Sequence, residues 1–317
     1  MSLINTAKIV SRTEIWNNFK FIDYLDVIKK EINNLPDGIS VSTMCASCKI
    51  NTRLDIPNIE KYLQLNPDDI LTVKKDKEKM RTLIPIKNKP KRTKKTDIKT
   101  KNTSTNHFYN QITVIIRVDN DEYTDLNECP RINMKLFKNG SVQMSGCKSL
   151  YNINRALNKL ICRLKEVKAK MEDGKIVEKK FIEDSDKITI TDFKIDMINS
   201  NYQVNMQIDR DKLFGLLLKK KIKSSYEPCI RACVIIKFVP NVDNTEQKEV
   251  SVFVFQRGNI IITGARTKSH IISAYEYMNN ILLTHTDEII KKDEDDDEIM
   301  LLGNDILKQI DSGLIVI

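Results

Sequence analysis

The chain has 317 residues, 41% of them hydrophobic, with only nine glycines and eight prolines; that composition fits a folded body and excludes a collagen-like or low-complexity chain. No apolar run reaches the roughly 18 residues a membrane helix needs, the N-terminus lacks the apolar stretch of a secretory signal, and seven cysteines without framework spacing suit reduced thiols, so the expectation is an intracellular protein without membrane contact. The formal charge of +9 is uneven, because Lys74 to Asn106 holds thirteen Lys or Arg against three Asp or Glu, and a basic arm on a near-neutral body points to a polyanion partner, although a solvated linker or an import signal has the same composition.

Residues 1–35 form an N-terminal extension in which Ile15, Phe19, Ile22, Leu25, Ile28 and Ile32 repeat at helical spacing, predicting an amphipathic helix that stops at the Pro36-Asp37-Gly38 turn. A strand is expected at Ile39–Ile50 and a short helix at Ile56–Leu65; the basic insertion, 74–107, then interrupts the pattern. Strands follow at Gln111–Val118, Ile132–Phe137 and Ser141–Ser145, with a turn at Asn139-Gly140. A helix starting near Ser149 carries Ile153, Leu157, Leu160, Ile161 and Leu164 on one stripe. Residues 165–187 read as a charged connection, either a hairpin or a helix extension. Further strands fit Thr189–Ile198, Gln203–Ile208, Ala232–Phe238, Val250–Phe255 and Ile260–Thr263, with helices at Arg210–Lys220 and over Ile271–Leu282. The tail, 286–317, carries the acidic run Asp293–Glu298 and ends in apolar residues; such a run beside a nucleic-acid-binding body can compete for its basic surface.

One motif occurs twice: FKNGSVQMSGCK at Phe137–Lys148 and FQRGNIIITGAR at Phe255–Arg266. The offset stays at 118 residues from Phe137/Phe255 through Gly140/Gly258, Ser145/Thr263 and Lys148/Arg266 to Leu164/Leu282, which marks a duplication of strands plus helix. Strand-rich halves, each closed by a helix, predict an antiparallel sheet with helices on one face. Alternation then leaves Gln111, Thr113, Ile115, Arg117, Gln143, Ser145, Ile261 and Thr263 on the uncovered face. An open face that mixes apolar, hydroxyl and cationic groups needs a partner.

The chain resembles the TATA-box-binding protein family. ITDFKIDMI at Ile190–Ile198, SSYEP at Ser224–Pro228 and GARTKSHIISAYEYM at Gly264–Met278 carry the likeness in the second repeat; STMCASCKIN at Ser42–Asn51 and VIIRV at Val114–Val118 carry it in the first. It covers 36–164 as repeat 1 and 188–285 as repeat 2. The extension, insertion and tail resemble those of divergent homologues in large DNA viruses. The resemblance implies an α+β saddle: two pseudosymmetric repeats forming one curved antiparallel sheet, helices on the convex face, and a concave face in a widened minor groove where phenylalanines kink the duplex.

Residue by residue, the family's second kinking phenylalanines fall at Phe137 and Phe255, and the first ones at Gln111 and Arg231, neither of which is an apolar wedge. The two base-reading asparagines fall at Ile39 and Met197, with Asn199 able to supply one amide. Hydroxyl partners are kept at Ser145 and Thr263, phosphate-facing cations at Arg117, Lys237, Lys148 and Arg266, and polar groups replace aliphatic ones at Lys135 and Gln143. Val41, Thr43, Phe253 and Ile261 complete the implied DNA face. A contact for transcription factor IIB or another initiation factor is implied at Glu227, Cys229 and Ile230. The resulting expectation is a transcription initiation factor for AT-rich promoter duplex, with altered TATA specificity, acting with the RNA polymerase machinery in the nucleus, at a cytoplasmic viral transcription site or in the virion. The alternative is an interaction module whose saddle holds a polypeptide.

No catalytic constellation, cofactor motif or metal site is expected. Cys45-x-x-Cys48 and Cys229-x-x-x-Cys233 would suit zinc only if paired, and the resemblance spreads them over separate strands. His107, His270 and His285 lack acid or nucleophile partners. Asp209 and Asp211 read as helix-capping residues.

Overall fold

A computed structural model describes residues 35–75, 79–85, 110–118, 129–186, 188–241 and 248–291. The amphipathic helix expected before residue 35, the basic insertion from residue 86 onward and the acidic run lie outside the described residues. Two compact units emerge, one built on Val41–Ile198 and the other on Ser40 with its preceding residues and the chain from Asn199.

Unit 1 contains β1 (Ser40–Ile50, all but its first residue), α1 (Ile56–Tyr62), β2 (Ile70–Lys74), β3 (Met80–Thr82), β4 (Gln111–Arg117), β5 (Arg131–Phe137), β6 (Ser141–Cys147), α2 (Leu150–Leu164), β7 (Lys168–Glu172), β8 (Lys175–Lys179) and the first part of β9 (Ile190–Gln203). Its strands run in the order β1-β6-β5-β4-β2-β3, each neighbour antiparallel. Ile112, Val114, Ile116, Ile132, Met134, Leu136, Val142 and Met144 are buried beneath α2, which contributes Ile153, Ala156, Leu157, Leu160, Ile161 and Leu164. Burying each such side chain contributes about 1.5–3 kcal/mol, and the period-2 alternation of these strands dictates which face does so.

Unit 2 contains the rest of β9, α3 (Arg210–Lys219), β10 (Ser224–Ser225), β11 (Cys233–Phe238), β12 (Val250–Phe255), β13 (Asn259–Ala265), α4 (Lys268–Thr284) and α5 (Thr286–Ile289). The order β10-β11-β12-β13 is again antiparallel. Val250, Val252, Val254, Ile260 and Ile262 lie under α4, and Val234 and Ile236 are buried on the strand that α3 packs against; Ile271, Ala274, Met278 and Leu282 of α4 occupy the positions of Ile153, Ala156, Leu160 and Leu164. Each unit is therefore α+β, with helices on one sheet face.

Three local expectations change. Residues 190–203 form one strand, and Val204–Ile208 leave the ladder because the amides of Val204 and Ile208 donate to Gly258 O (2.9 Å) and Gln256 O (2.7 Å) of the β12–β13 hairpin. The sequence reading missed β2, a five-residue run that ends where the basic insertion begins, and β3, three residues inside that insertion. The 165–187 connection resolves into the β7–β8 hairpin, turned by Asp173 (φ 49°) and Gly174 (φ 76°), the positive-φ pair of a two-residue hairpin.

The helix starts repeat between units. Ser149 accepts from Asn152 N–H (3.2 Å), and Asn152 Oδ1 in return accepts from Lys148 N–H (3.2 Å). In unit 2, Thr267 accepts from His270 N–H (3.3 Å) and His270 Nδ1 accepts from Arg266 N–H (3.3 Å). This is the reciprocal logic of a capping box, and it requires a neutral imidazole protonated on Nε2. His270 is 2% exposed, and burial, helped by Lys248 and Arg266, lowers its pKa from the ordinary 6.5. An unfolded chain then binds more protons than the folded one just below pH 6.5, so stability is retained above that value and lost as pH falls toward the folded pKa. Thermal unfolding should show a lower midpoint at pH 5 than at pH 7.5. His270→Asn, which installs the residue found at position 152, should flatten that dependence; an equal drop in both proteins would refute the role of His270.

Candidate nucleic-acid interface

The sheet face opposite the helices is built row by row from cross-strand neighbours. In unit 1 one row runs Met80, Lys74, Thr113, Lys135, Gln143, Ser47, and the next runs Thr82, Thr72, Ile115, Asn133, Ser145, Cys45. Phe137 stands opposite Gln111 at the end of β4 and β5. Gln143 and Lys135 are exposed, whereas Phe137, Gln111 and Ser145 are half-buried. This half is polar and cationic.

Unit 2 offers a different surface at the same positions. Ile235, Phe253 and Ile261 form one row; Lys237, Ser251 and Thr263 form another. Phe253, Phe255, Ile261 and Thr263 are half-buried. Thr263 Oγ1 donates to Asn199 Oδ1 at 2.6 Å, which commits the carboxamide oxygen to the hydroxyl and fixes the plane of the amide. Ile235, Phe253 and Ile261 stand where unit 1 has Thr113, Lys135 and Gln143, while Phe255 is the counterpart of Phe137.

Other expected face residues fare unequally. Val41 and Thr43 are half-buried on β1 and Met197 is half-buried on β9. Ile39 is only 9% exposed and lies in unit 2, packed inward just after its amide donates to Pro36 O, so it does not present an aliphatic side chain at an asparagine position. Arg117 is also corrected. It is 8% exposed, and its Nη1 donates to Pro67 O at 2.7 Å. Its own carbonyl accepts from the buried Lys159 Nζ (3.0 Å), which also reaches Asp68 O (2.7 Å). Arg117 is thus a staple between β4 and the 67–69 turn, because a buried guanidinium is tolerated only when hydrogen-bonded.

The remaining cations are on the surface. Lys148 is exposed and Arg266 half-buried, each one residue before a helix cap. Lys237 Nζ lies 3.1 Å from Glu249 Oε1, while Lys223 pairs with the other carboxylate oxygen. Those two lysines hold the Glu249 carboxyl below its ordinary pKa, Lys223 contributing more. The Lys237 charge is therefore partly neutralised within unit 2.

Arg231 does not take the place opposite Phe255. It ends a turn in which the amides of Ile230 and Arg231 both donate to Glu227 O, and the residue opposite Phe255 is Cys233. Glu227, Cys229, Ile230 and Arg231 are all exposed, Ile230 to 72%. Arg210 supports this turn. Its Nη1 donates to Ala232 O (2.9 Å), its Nη2 to Gln256 Oε1 (3.2 Å), and its guanidinium lies 5.7 Å from the Tyr226 ring centroid. Sequence reasoning missed Arg210 because nothing local marks an arginine inside a charged helix start as a tertiary clamp.

Cys45 and Cys48 lie on opposite faces of β1, and burial raises the Cys48 thiol to about 12; a pair facing opposite ways cannot share one ion. Among the described residues no group of three or more His, Cys, Asp or Glu is placed to hold a metal, and no helix is long and apolar enough to cross a membrane.

Residues 192–285 match the family model described as transcription factor TFIID, or TATA-binding protein (TBP). A protein of Acanthamoeba polyphaga mimivirus, described as TATA-box-binding protein-like, is 35% identical over 294 residues, covering 88% of this chain and 73% of that one. The solved Methanococcus jannaschii TBP aligns at 16% identity with a TM-score of 0.44, over 78% of this chain and 98% of that one.

Proposed function

The chain belongs to the TATA-binding protein family, whose members are transcription-related DNA-binding factors, and on that basis we propose that it is an initiation factor gripping AT-rich promoter duplex in the minor groove through the open sheet faces. The observation that carries this reading is the row of buried Ile235 and half-buried Phe253 and Ile261 on the face opposite α4, with half-buried Phe255 on the same strand face as Phe253 and cations Lys237 and Arg266 beside it. Apolar wedges unstack base steps at a cost of a few kcal/mol, which the bent duplex offsets by covering more protein. Phosphate contacts set affinity and register, and base-edge contacts set sequence choice. With Lys135 and Gln143 in place of aliphatic groups, unit 1 supplies more of the former, so TATA preference is weaker than affinity. The exposed Glu227–Ile230 turn, held by Arg210, is the docking point for a factor IIB-like partner of the polymerase machinery. The site of action is intracellular, in the nucleus or at a viral transcription site.

Anisotropy titration of AT-rich duplex over a salt series tests this. Lys148→Ala and Arg266→Ala should each reduce the slope of log affinity against log salt by about 0.9 and weaken all sequences alike. Absence of duplex binding at low salt would eliminate the reading. The polar unit 1 surface of Gln111, Lys135 and Gln143 favours the second reading, a face that holds a polypeptide, and that reading takes over if pull-down recovers a stable protein complex while duplex does not bind.

A further inference from the structure

Each unit has a groove at the end of its open face, between the loop before the first helix and the β-hairpin carrying the repeated glycine. In unit 2 it has a volume of about 900 Å³ and is lined by Gln203, Asn205, Gln207, Phe255 and Arg257, with Arg210 at its wall. Among the described residues no carboxylate lines it. The counterpart in unit 1, about 340 Å³, is lined by Lys49, Arg53 and Asn139, and by Glu183 and Asp184. The two acids arrive on a short return segment. Asp55 N–H donates to Phe181 O (2.8 Å), Glu183 N–H donates to Arg53 O (3.1 Å), and Leu54 bridges Ile182 antiparallel.

Unit 2 has the same return segment. Asp209 N–H donates to Ile289 O (2.7 Å), Lys291 N–H donates to Gln207 O (3.0 Å), and Ile208 bridges Ile290 antiparallel. Phe181–Glu183 thus corresponds to Ile289–Lys291. In unit 1 the next residue, Asp184, enters the groove; in unit 2 the chain continues as Lys292 and then six consecutive acids, Asp293–Glu298. The run begins two residues after Lys291, whose amide donates to Gln207 O on the groove wall, and its six residues reach about 20 Å at ~3.3 Å each.

We propose that the acidic run Asp293–Glu298 occupies the unit 2 groove as Glu183 and Asp184 occupy its counterpart, with Arg257 as the principal cation it meets. Carboxylates there lie beside Phe255, so the run competes with nucleic acid for that end of the sheet; this second part rests on the proposed function. The tether makes the interaction intramolecular, and effective concentration compensates for the weakness of single screened ion pairs.

The test uses the full chain with residues 293–298 changed Asp→Asn and Glu→Gln. Without DNA, amide hydrogen exchange in 203–207 and 255–259 should rise about fivefold, and Arg257→Ala should reproduce the increase. Unchanged exchange in the neutralised chain would overturn the placement. Duplex affinity at low salt should rise by a similar factor; altered exchange with unaltered affinity would overturn the competition. If no duplex binds either chain, the proposed function fails while the exchange result still decides where the acids sit.

Discussion

Replacing Gly258 with alanine should lower the unfolding free energy by about 2–4 kcal/mol. Gly258 sits at φ 77°, and a Cβ built there would lie 2.3 Å from Val204 O and 2.7 Å from Met206 O. Both are backbone atoms held by the hairpin, since Val204 N–H donates to the Gly258 carbonyl at 2.9 Å. The substitution therefore adds overpacking to left-handed strain, and neither is relieved by a side-chain rotation. Gly140 at φ 83° meets Ile50 O at 2.3 Å and Thr52 O at 2.4 Å, so Gly140→Ala should cost a similar amount. Gly174 is the control: its φ is 76° but nothing lies within 4 Å of the added carbon. Gly174→Ala should lose only about 1–2 kcal/mol. Thermal or urea unfolding of the three variants checks the ranking, and equal losses at Gly258 and Gly174 would show that the hairpin can yield.

The second large effect belongs to Phe255. Phe255→Ala should weaken binding to AT-rich duplex by about 10- to 100-fold, the range for losing one stacking or wedging aromatic of 1–3 kcal/mol, and should reduce bending measured by energy transfer between end labels. Phe137→Ala should lose less. Both phenylalanines end equivalent strands, yet their surroundings differ: Phe255 shares its strand face with Phe253, which sits between Ile235 and Ile261, whereas two residues before Phe137 stands Lys135, between Thr113 and Gln143. A wedge gains most where its neighbours also leave water, and a lysine and a glutamine keep theirs. Equal losses from the two variants would mean that the asymmetry of the faces does not reach the DNA. Unchanged bending in Phe255→Ala would remove the wedge itself.

Both experiments concern features that the sequence shows in part. The glycines and phenylalanines of the duplicated motif are visible at an offset of 118, but the loop residues they press against are not. Val204 corresponds to Ile50 at an offset of 154, and Ile289 to Phe181 at 108. The insertion and the β7–β8 hairpin lengthen the first half, and loop length costs so little free energy that such shifts accumulate without disturbing the fold. A constant-offset comparison therefore finds the motif and misses its packing partners.

What the sequence determined by itself is local and periodic: alternation assigned the buried face of each β4–β6 and β12–β13 strand, helical spacing found α2 and α4, and the repeated glycine motif with the TBP-like segments gave the kinship. These signals survive because side-chain period and backbone conformation are properties of a few neighbouring residues. Tertiary structure alone decided that Arg117 is a buried staple, that Cys233 and not Arg231 faces Phe255, that β9 runs unbroken to Gln203, and that the two return segments are equivalent. Each of these depends on strand register or on a partner far away in the chain, and register is set by pairing across the sheet, which no stretch of contiguous residues encodes.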